Sequence, residues 1–143
     1  MSYQEQTQQS SGTGPVDEKN ATKDVRATIE GLPECREFFD LARRSGADKH
    51  FRRPGYITVF APNDEAMQKA GTPSDAGAFV LRHVALGGKT EADLRLMQDL
   101  PTLAGVPLKV TKEDGALRIG NARLVTTDIP ATNGFVHIVD GVF

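Results

Sequence analysis

The chain has 143 residues, a formal net charge of −2 and a single cysteine. That length suffices for one domain with a self-sustaining core, and a sequence pI near 5.9 gives no global pull toward nucleic acid or anionic membrane. One cysteine excludes an internal disulfide and a multi-cysteine zinc site, and no stretch is long and apolar enough for a transmembrane helix.

Residues 1–20 are rich in Gln, Ser, Gly and Thr with almost nothing to bury, so a disordered polar tail is expected there and a domain over 21–143. The opening residues also lack the apolar core of a secretory signal, which leaves an intracellular location open. A first helix is predicted from about Ala21 through Ile29, stopping near Gly31 and Pro33, and a second from about Glu34 to Arg44. In the second, Cys35, Phe38, Phe39 and Ala42 share helical spacing, which makes Cys35 an inert lining of the inner face rather than a reactive thiol. A basic stretch follows: Arg43, Arg44, Lys49, His50, Arg52 and Arg53, interleaved with Phe51 and Tyr56. Cations with aromatics suit a polyanion such as an acidic glycan or single-stranded nucleic acid. A solvated helix end is the preferred reading, because cations complement a helix C-terminus and the whole chain is acidic.

Ile57–Ala61 is a β-branched and aromatic run bounded by Pro62, which predicts a short strand. Asn63 then caps a helix whose first turn carries Asp64 and Glu65, whose one face holds Ala66, Met67 and Ala70, and which Gly71 closes. Thr72 and Pro73 read as the N-cap and first residue of a further helix, with Ala76, Phe79, Val80 and His83 along one stripe. Gly87 and Gly88 break the chain, and Thr90–Leu94 is expected to form a short helical turn. Gly88-Lys89-Thr90 imitates the end of a phosphate-binding loop, but His83 stands where that loop needs its first glycine. From Pro107 onward the pattern turns to strands: LKVTK, a turn at Asp114-Gly115, ALRIG, ARLVTTDI and FVHIVDGV. Asn133-Gly134 signals a tight hairpin turn. Phe135 and Val139 point to one face of the last strand and Val136 and Ile138 to the other, so it reads as a central strand buried on both sides. Helices first and strands second make an α+β domain.

Chemistry is sparsely signalled. His50, His83 and His137 show neither HxH nor HExxH spacing, no serine lies in a GxSxG context, and the carboxylates are scattered. No metal, cofactor or catalytic residue is nominated, and the chain is not read as an enzyme.

Two boxes, ITVFAPNDEAM (Ile57–Met67) and DIPATNGFVHIVDGVF (Asp128–Phe143), bracket LRHVALGG (Leu81–Gly88) and TLAGVPLKV (Thr102–Val110). In that order they resemble the fasciclin family of adhesion domains from about Gly31 onward. The resemblance implies a wedge-shaped β-sandwich or distorted barrel with several helices packed on one side. It implies a non-catalytic module, secreted or in the cell envelope, that binds a protein or a cell-surface or matrix partner, with an anionic glycan as the alternative. It also places candidate contacts at Asp128, Ile129 and His83. The family pattern has a tyrosine before the histidine, where this chain has Arg82. For His83 a packed imidazole bonded to backbone carbonyls is the preferred reading, and for Asp128 a cap on a nearby turn.

Overall fold

The computed structural model describes residues 21–143; the expected polar tail over 1–20 lies outside the described residues. Asp24 opens α1 (Val25–Glu30), its carboxylate accepting from the Ala27 N–H at 2.8 Å, so this helix begins at a side-chain cap and not at Ala21. Pro33–Cys35 winds a 3-10 turn, and α2 (Arg36–Ser45) starts only after it. Phe38, Phe39, Leu41 and Ala42 form the buried face of α2, with Cys35 at its foot. A left-handed Gly46 (φ 80°) ends α2 and turns the chain into a second 3-10 segment, Ala47–Arg52.

Strand β1 (Ile57–Pro62) runs straight into α3 (Asp64–Ala70), where Asn63 accepts from the Ala66 N–H at 2.8 Å as the sequence pattern requires. The next cap differs from expectation. Asp75, not Thr72, accepts from the Ala78 N–H and starts α4 (Ala76–Leu81), leaving Pro73 in the connection. A carboxylate next to the run of helix formers outcompetes the Thr-Pro pair three residues earlier. His83 falls just past the end of α4 and leads into β2 (Val84–Leu86), a strand too short to show alternation in the sequence. Thr90 then caps α5 (Glu91–Leu94) with a reciprocal capping box to Asp93. The remaining strands are β3 (Asp99–Leu100), β4 (Leu108–Glu113), β5 (Ala116–Ile119), β6 (Ala122–Ala131) and β7 (Gly134–Val139). Asp114 and Gly115 both take positive φ (54° and 80°), the tight two-residue turn that the Asp-Gly pair favours.

The seven strands form one sheet in the order β2-β1-β7-β6-β5-β4-β3. All neighbours are antiparallel except β1 and β7, which run parallel from Ile57↔Gly134 to Pro62↔Val139. A bridge between Ala85 of β2 and Thr102, just past β3, draws the two edges together into a nearly closed barrel. Every residue of β1 and β7 is buried, because each strand has a core on both faces. Val59, Ala61, Val136 and Ile138 face the helices with Phe38, Phe51, Phe79 and Val80. Phe60 and Val139 face the barrel interior with Leu94, Leu100, Val110 and Ile119.

The Asn133-Gly134 pair plays a different part from the one expected. The two turn residues between β6 and β7 are Thr132 and Asn133, and Gly134 is already the first residue of β7, paired with Ala131. Its glycine is required by crowding: at φ 150°, an added Cβ would lie 1.7 Å from the Ile57 carbonyl oxygen. Gly134→Ala is therefore expected to lower stability by ~3 kcal/mol or more in urea unfolding, because backbone must move. Gly55→Ala, at φ 88° with nothing within 4 Å of the new methyl, is expected to lose only about 1–2 kcal/mol, the left-handed backbone cost alone.

Candidate functional site

The two buried histidines sit on opposite sides of the β1–β7 pair, and both are built into the backbone. His83 is fully buried beyond α4. Its Nε2 accepts from the Phe143 N–H at 3.1 Å, so Nδ1 carries the proton and donates to the Phe79 carbonyl at 2.8 Å. Its ring stacks on Phe143 (centroids 4.7 Å apart, 14° between planes) and lies 4.6 Å from Phe79 and 5.5 Å from Phe38. His137, fully buried in β7, has the opposite tautomer. Its Nδ1 accepts from the Asp128 N–H at 3.1 Å, which leaves Nε2–H to donate to the Lys89 carbonyl at 2.7 Å. Both rings are held neutral. Burial pushes His83 down to about 4, reinforced by the nearby Arg82 cation and only partly opposed by the bond to Phe79. Burial lowers His137 also, against the pull of its Lys89 bond and of Asp128 and Glu91.

Asp128 and Ile129 lie where β6 bulges, between the Thr126↔Ile138 and Ile129↔Val136 pairs. Asp128 takes a left-handed conformation (φ 61°), which swings its carboxylate off the ladder to accept from the Glu91 N–H at 2.7 Å, the first amide of α5. Its Oδ1 also lies 3.9 Å from His137 Nδ1. Both atoms are acceptors there, so this approach is not an ion pair. Thr127 Oγ1 donates to Glu91 Oε1 at 3.3 Å, and Glu91 in turn pairs with Arg95 at 2.8 Å. Asp128 thus ties β6, α5 and β7 into one polar joint, with its side chain 34% exposed. Ile129 is half-buried against the helix-side core. His83 stands apart from this joint, on the other face of the sheet.

The basic stretch does not present its aromatics as a set. Phe51 is fully buried in the helix-side core, whereas Tyr56 is 55% exposed. Phe51 packs against Phe38 of α2 (centroids 6.3 Å apart) and, with Ala47, seats the 3-10 segment on the core. Arg43 pairs with Asp40 at 3.1 Å, and Arg52 approaches Asp24 at 3.8 Å. Arg44, Lys49 and Arg53 have no carboxylate partner among the described residues. His50 beside them is lowered by burial and by the Lys49 and Arg53 cations.

Two residues carry more than their sequence signal suggested. The Asn133 side chain accepts from the Val25 N–H at 2.8 Å and donates to the Phe51 carbonyl at 2.9 Å, while its own carbonyl accepts from the Ile57 N–H at 2.9 Å. One turn residue thereby joins α1, the 3-10 segment and β1. Thr58, fully buried, donates to the Gly87 carbonyl and accepts from the Lys89 N–H, clipping the two-glycine loop. Cys35 is buried, its Sγ 3.7 Å from the Ala61 carbonyl, and burial next to Glu34 and Asp64 pushes the thiol up to about 12. At neutral pH it is not a nucleophile.

With this architecture in place, the chain belongs to the fasciclin domain family, whose model matches residues 33–143. The domain is similar to the FAS1 domain pair of the insect cell adhesion molecule Fasciclin I, with a TM-score of 0.73 and 21% identity over 86% of this chain and 51% of that one, a likeness of fold. An uncharacterised protein of Synechocystis sp. is 33% identical over 98 residues, 62% of this chain and 73% of the relative. A fasciclin-like arabinogalactan protein of Arthroderma benhamiae is 27% identical over 124 residues, 82% of this chain but 29% of the relative. The chain spans only a part of most relatives it matches.

Two outcomes follow from the buried histidines. His83→Ala leaves a void and orphans the Phe143 N–H and Phe79 carbonyl, and is expected to lower unfolding free energy by about 2–4 kcal/mol. Acid should weaken the parent chain. The unfolded histidines bind protons near pH 6.5 while folded His83 resists until about 4. Stability is therefore complete above 6.5 and falls as pH drops toward 4, by ~3 kcal/mol from His83 alone. Urea midpoints at pH 7, 5.5 and 4.5 measure this slope, which should flatten in the alanine variant.

Proposed function

We propose that this chain is a non-catalytic, adhesion-type module that binds a protein or a cell-surface or matrix partner, outside the cytoplasm or in the cell envelope. The observation that carries this reading is membership of the fasciclin family, joined to what the buried reactive groups are doing. His83, His137 and Cys35 are all occupied with backbone partners, so none is poised for acid–base or nucleophilic work. Direct contact falls to groups that reach the surface at least in part. Asp128 and Ile129 are the contact candidates, since Asp128 keeps one oxygen clear of the Glu91 amide, whereas His83 serves packing on the other face of the sheet. The likeness to a domain pair of an insect cell adhesion molecule supports the same reading.

Beads coated with the folded chain should adhere to cells or matrix more than beads coated with the heat-unfolded chain. Asp128→Asn keeps an acceptor for the Glu91 amide but removes the charge. Its unfolding free energy is expected to change by less than about 1 kcal/mol while adhesion falls several-fold. Equal adhesion of folded and unfolded chains would reject the module. Undiminished adhesion of the variant would reject Asp128 as a contact.

A second reading is a polyanion site on Arg43, Arg44, Lys49, Arg52 and Arg53, favoured by the cations gathered around His50. Heparin binding at low salt should then fall steeply as salt rises and vanish when the four arginines become serine. No retention on heparin at low ionic strength would remove this reading.

A further inference from the structure

The last residues described, Gly141–Phe143, follow β7 as a half-buried strap that touches both cores. Asp140 anchors the root of this strap: its N–H donates to the Arg123 carbonyl at 3.1 Å, and its carboxylate accepts from the Arg123 N–H at 2.8 Å. The tip is Phe143. Its N–H donates to His83 Nε2 at 3.1 Å, its carbonyl accepts from Arg82 Nε at 3.1 Å, and its ring lies between His83 and Phe60 (centroids 4.7 and 6.0 Å). Val142 rests on the helix-side core and Phe143 on the barrel core.

We infer that this strap is an acid-released latch, closed by the lone pair of His83 Nε2 and opened when a proton occupies it. The geometry permits no compromise. Nδ1–H is already committed to the Phe79 carbonyl, so a second proton can go only to Nε2, where it meets the Phe143 N–H head-on. Two donors facing each other at that distance repel, and the imidazolium would sit beside the Arg82 guanidinium that grips the same residue. Among the described side chains that touch the ring, none is acidic. From α2 comes Phe38, from the end of α4 come Phe79 and Arg82, and from the strap comes Phe143. Arg82 is the charged group that acts on it, and it disfavours protonation.

Release can be local because the strap and the β1–β7 pair differ in how firmly they are held. β1 and β7 are buried along their whole length and paired on both sides. Gly141, Val142 and Phe143 are each only partly covered and belong to no strand. Segments of this kind open with small free energies while the sheet stays shut. Opening turns the strap away from Phe60 and gives Nε2 access to water. A proton binds the open form with the ordinary histidine affinity and the closed form with the depressed one. Opening should therefore increase about tenfold for each pH unit below 6.5, to at most about 300-fold near pH 4, the ratio set by those two affinities.

Amide hydrogen exchange of the full chain between pH 7 and 4, corrected for the intrinsic exchange rate, reads this directly. The Phe143 amide is expected to lose protection with that slope while Val59 and Val136 keep theirs. His83→Gln, which can accept but not titrate, should make the Phe143 profile flat. Loss of Phe143 and Val136 protection in parallel, a flat parent profile, or an unchanged slope in the glutamine variant would each overturn the latch. Where that variant fails to fold, the imidazole nitrogen-15 shifts of the parent decide. His83 Nε2 must take up its proton at the pH where Phe143 opens, and a protonated ring beneath a still-protected Phe143 amide would end the proposal.

Discussion

The parallel pairing of β1 with β7 is the constraint on which the rest of the molecule depends. It joins residues more than seventy positions apart, Ile57 to Gly134 and Pro62 to Val139, and both strands are buried on both faces. Closing so long a loop has an entropic cost that grows only slowly with length, but it must be recovered from contacts made at the joint itself. Two residues make that joint possible. Gly134 lets the β7 backbone approach the Ile57 carbonyl where no methyl fits, and Asn133 binds α1, the 3-10 segment and β1 at the same corner. Register follows: slipping one residue would turn Val136 and Ile138 into the barrel and His137 into the helices.

Once that register is set, the two histidines become compulsory parts of the backbone rather than passengers. Each accepts one main-chain N–H and donates to one main-chain carbonyl, and each does so at a place where regular pairing fails. His137 receives the Asp128 N–H at the β6 bulge, and His83 receives the Phe143 N–H beyond the end of β7. A buried amide without a partner costs about 1–3 kcal/mol, so an imidazole at each break replaces the missing strand partner. The opposed tautomers are the consequence, since the nitrogen that meets an N–H must be bare. Neutrality is thus enforced by geometry as well as by burial, and the depressed proton affinity of both rings reports the same arrangement.

Much of this architecture is legible in the sequence, and the failures have physical causes. The strand-to-helix switch at Ile57–Met67 is read correctly because each signal in it is local: β-branched run, proline, Asn63 cap, acidic first turn. The two-faced burial of β7 is legible for the same reason. Thr72-Pro73 misleads because Asp75 offers a cap nearer the helix, and a cap is won by competition that the sequence does not rank. β2 escapes notice because three residues cannot show a period. Phe51 stands among cations in the sequence, yet it is buried against Phe38 of α2, a contact that no local signal carries. The bond from the His83 imidazole to Phe143 joins positions sixty apart and leaves no local trace at all. Packing of histidine was foreseeable from its apolar neighbours; its partner was not.

The distribution of satisfied and unsatisfied groups separates the closed interior from the groups that remain open at the surface. The interior is closed to partners: its polar side chains, Thr58, Thr102, His83 and His137, are each taken up by backbone groups. Asp128 is different because it serves the interior with one oxygen while a third of its side chain still faces water. Its backbone is held by His137 and its carboxylate by the first amide of α5, so the exposed oxygen is presented from a rigid mount. A charge held in this way has little conformational freedom left to lose, whereas Lys49, which has no carboxylate partner among the described residues, keeps the freedom of its long stem. The same bulge that breaks the β6 ladder therefore creates both the need for a buried histidine and a preorganised acidic group at the surface. For Asp128, being fixed by a structural bond and keeping an oxygen at the surface are compatible, because the bond to the Glu91 amide uses only one carboxylate oxygen.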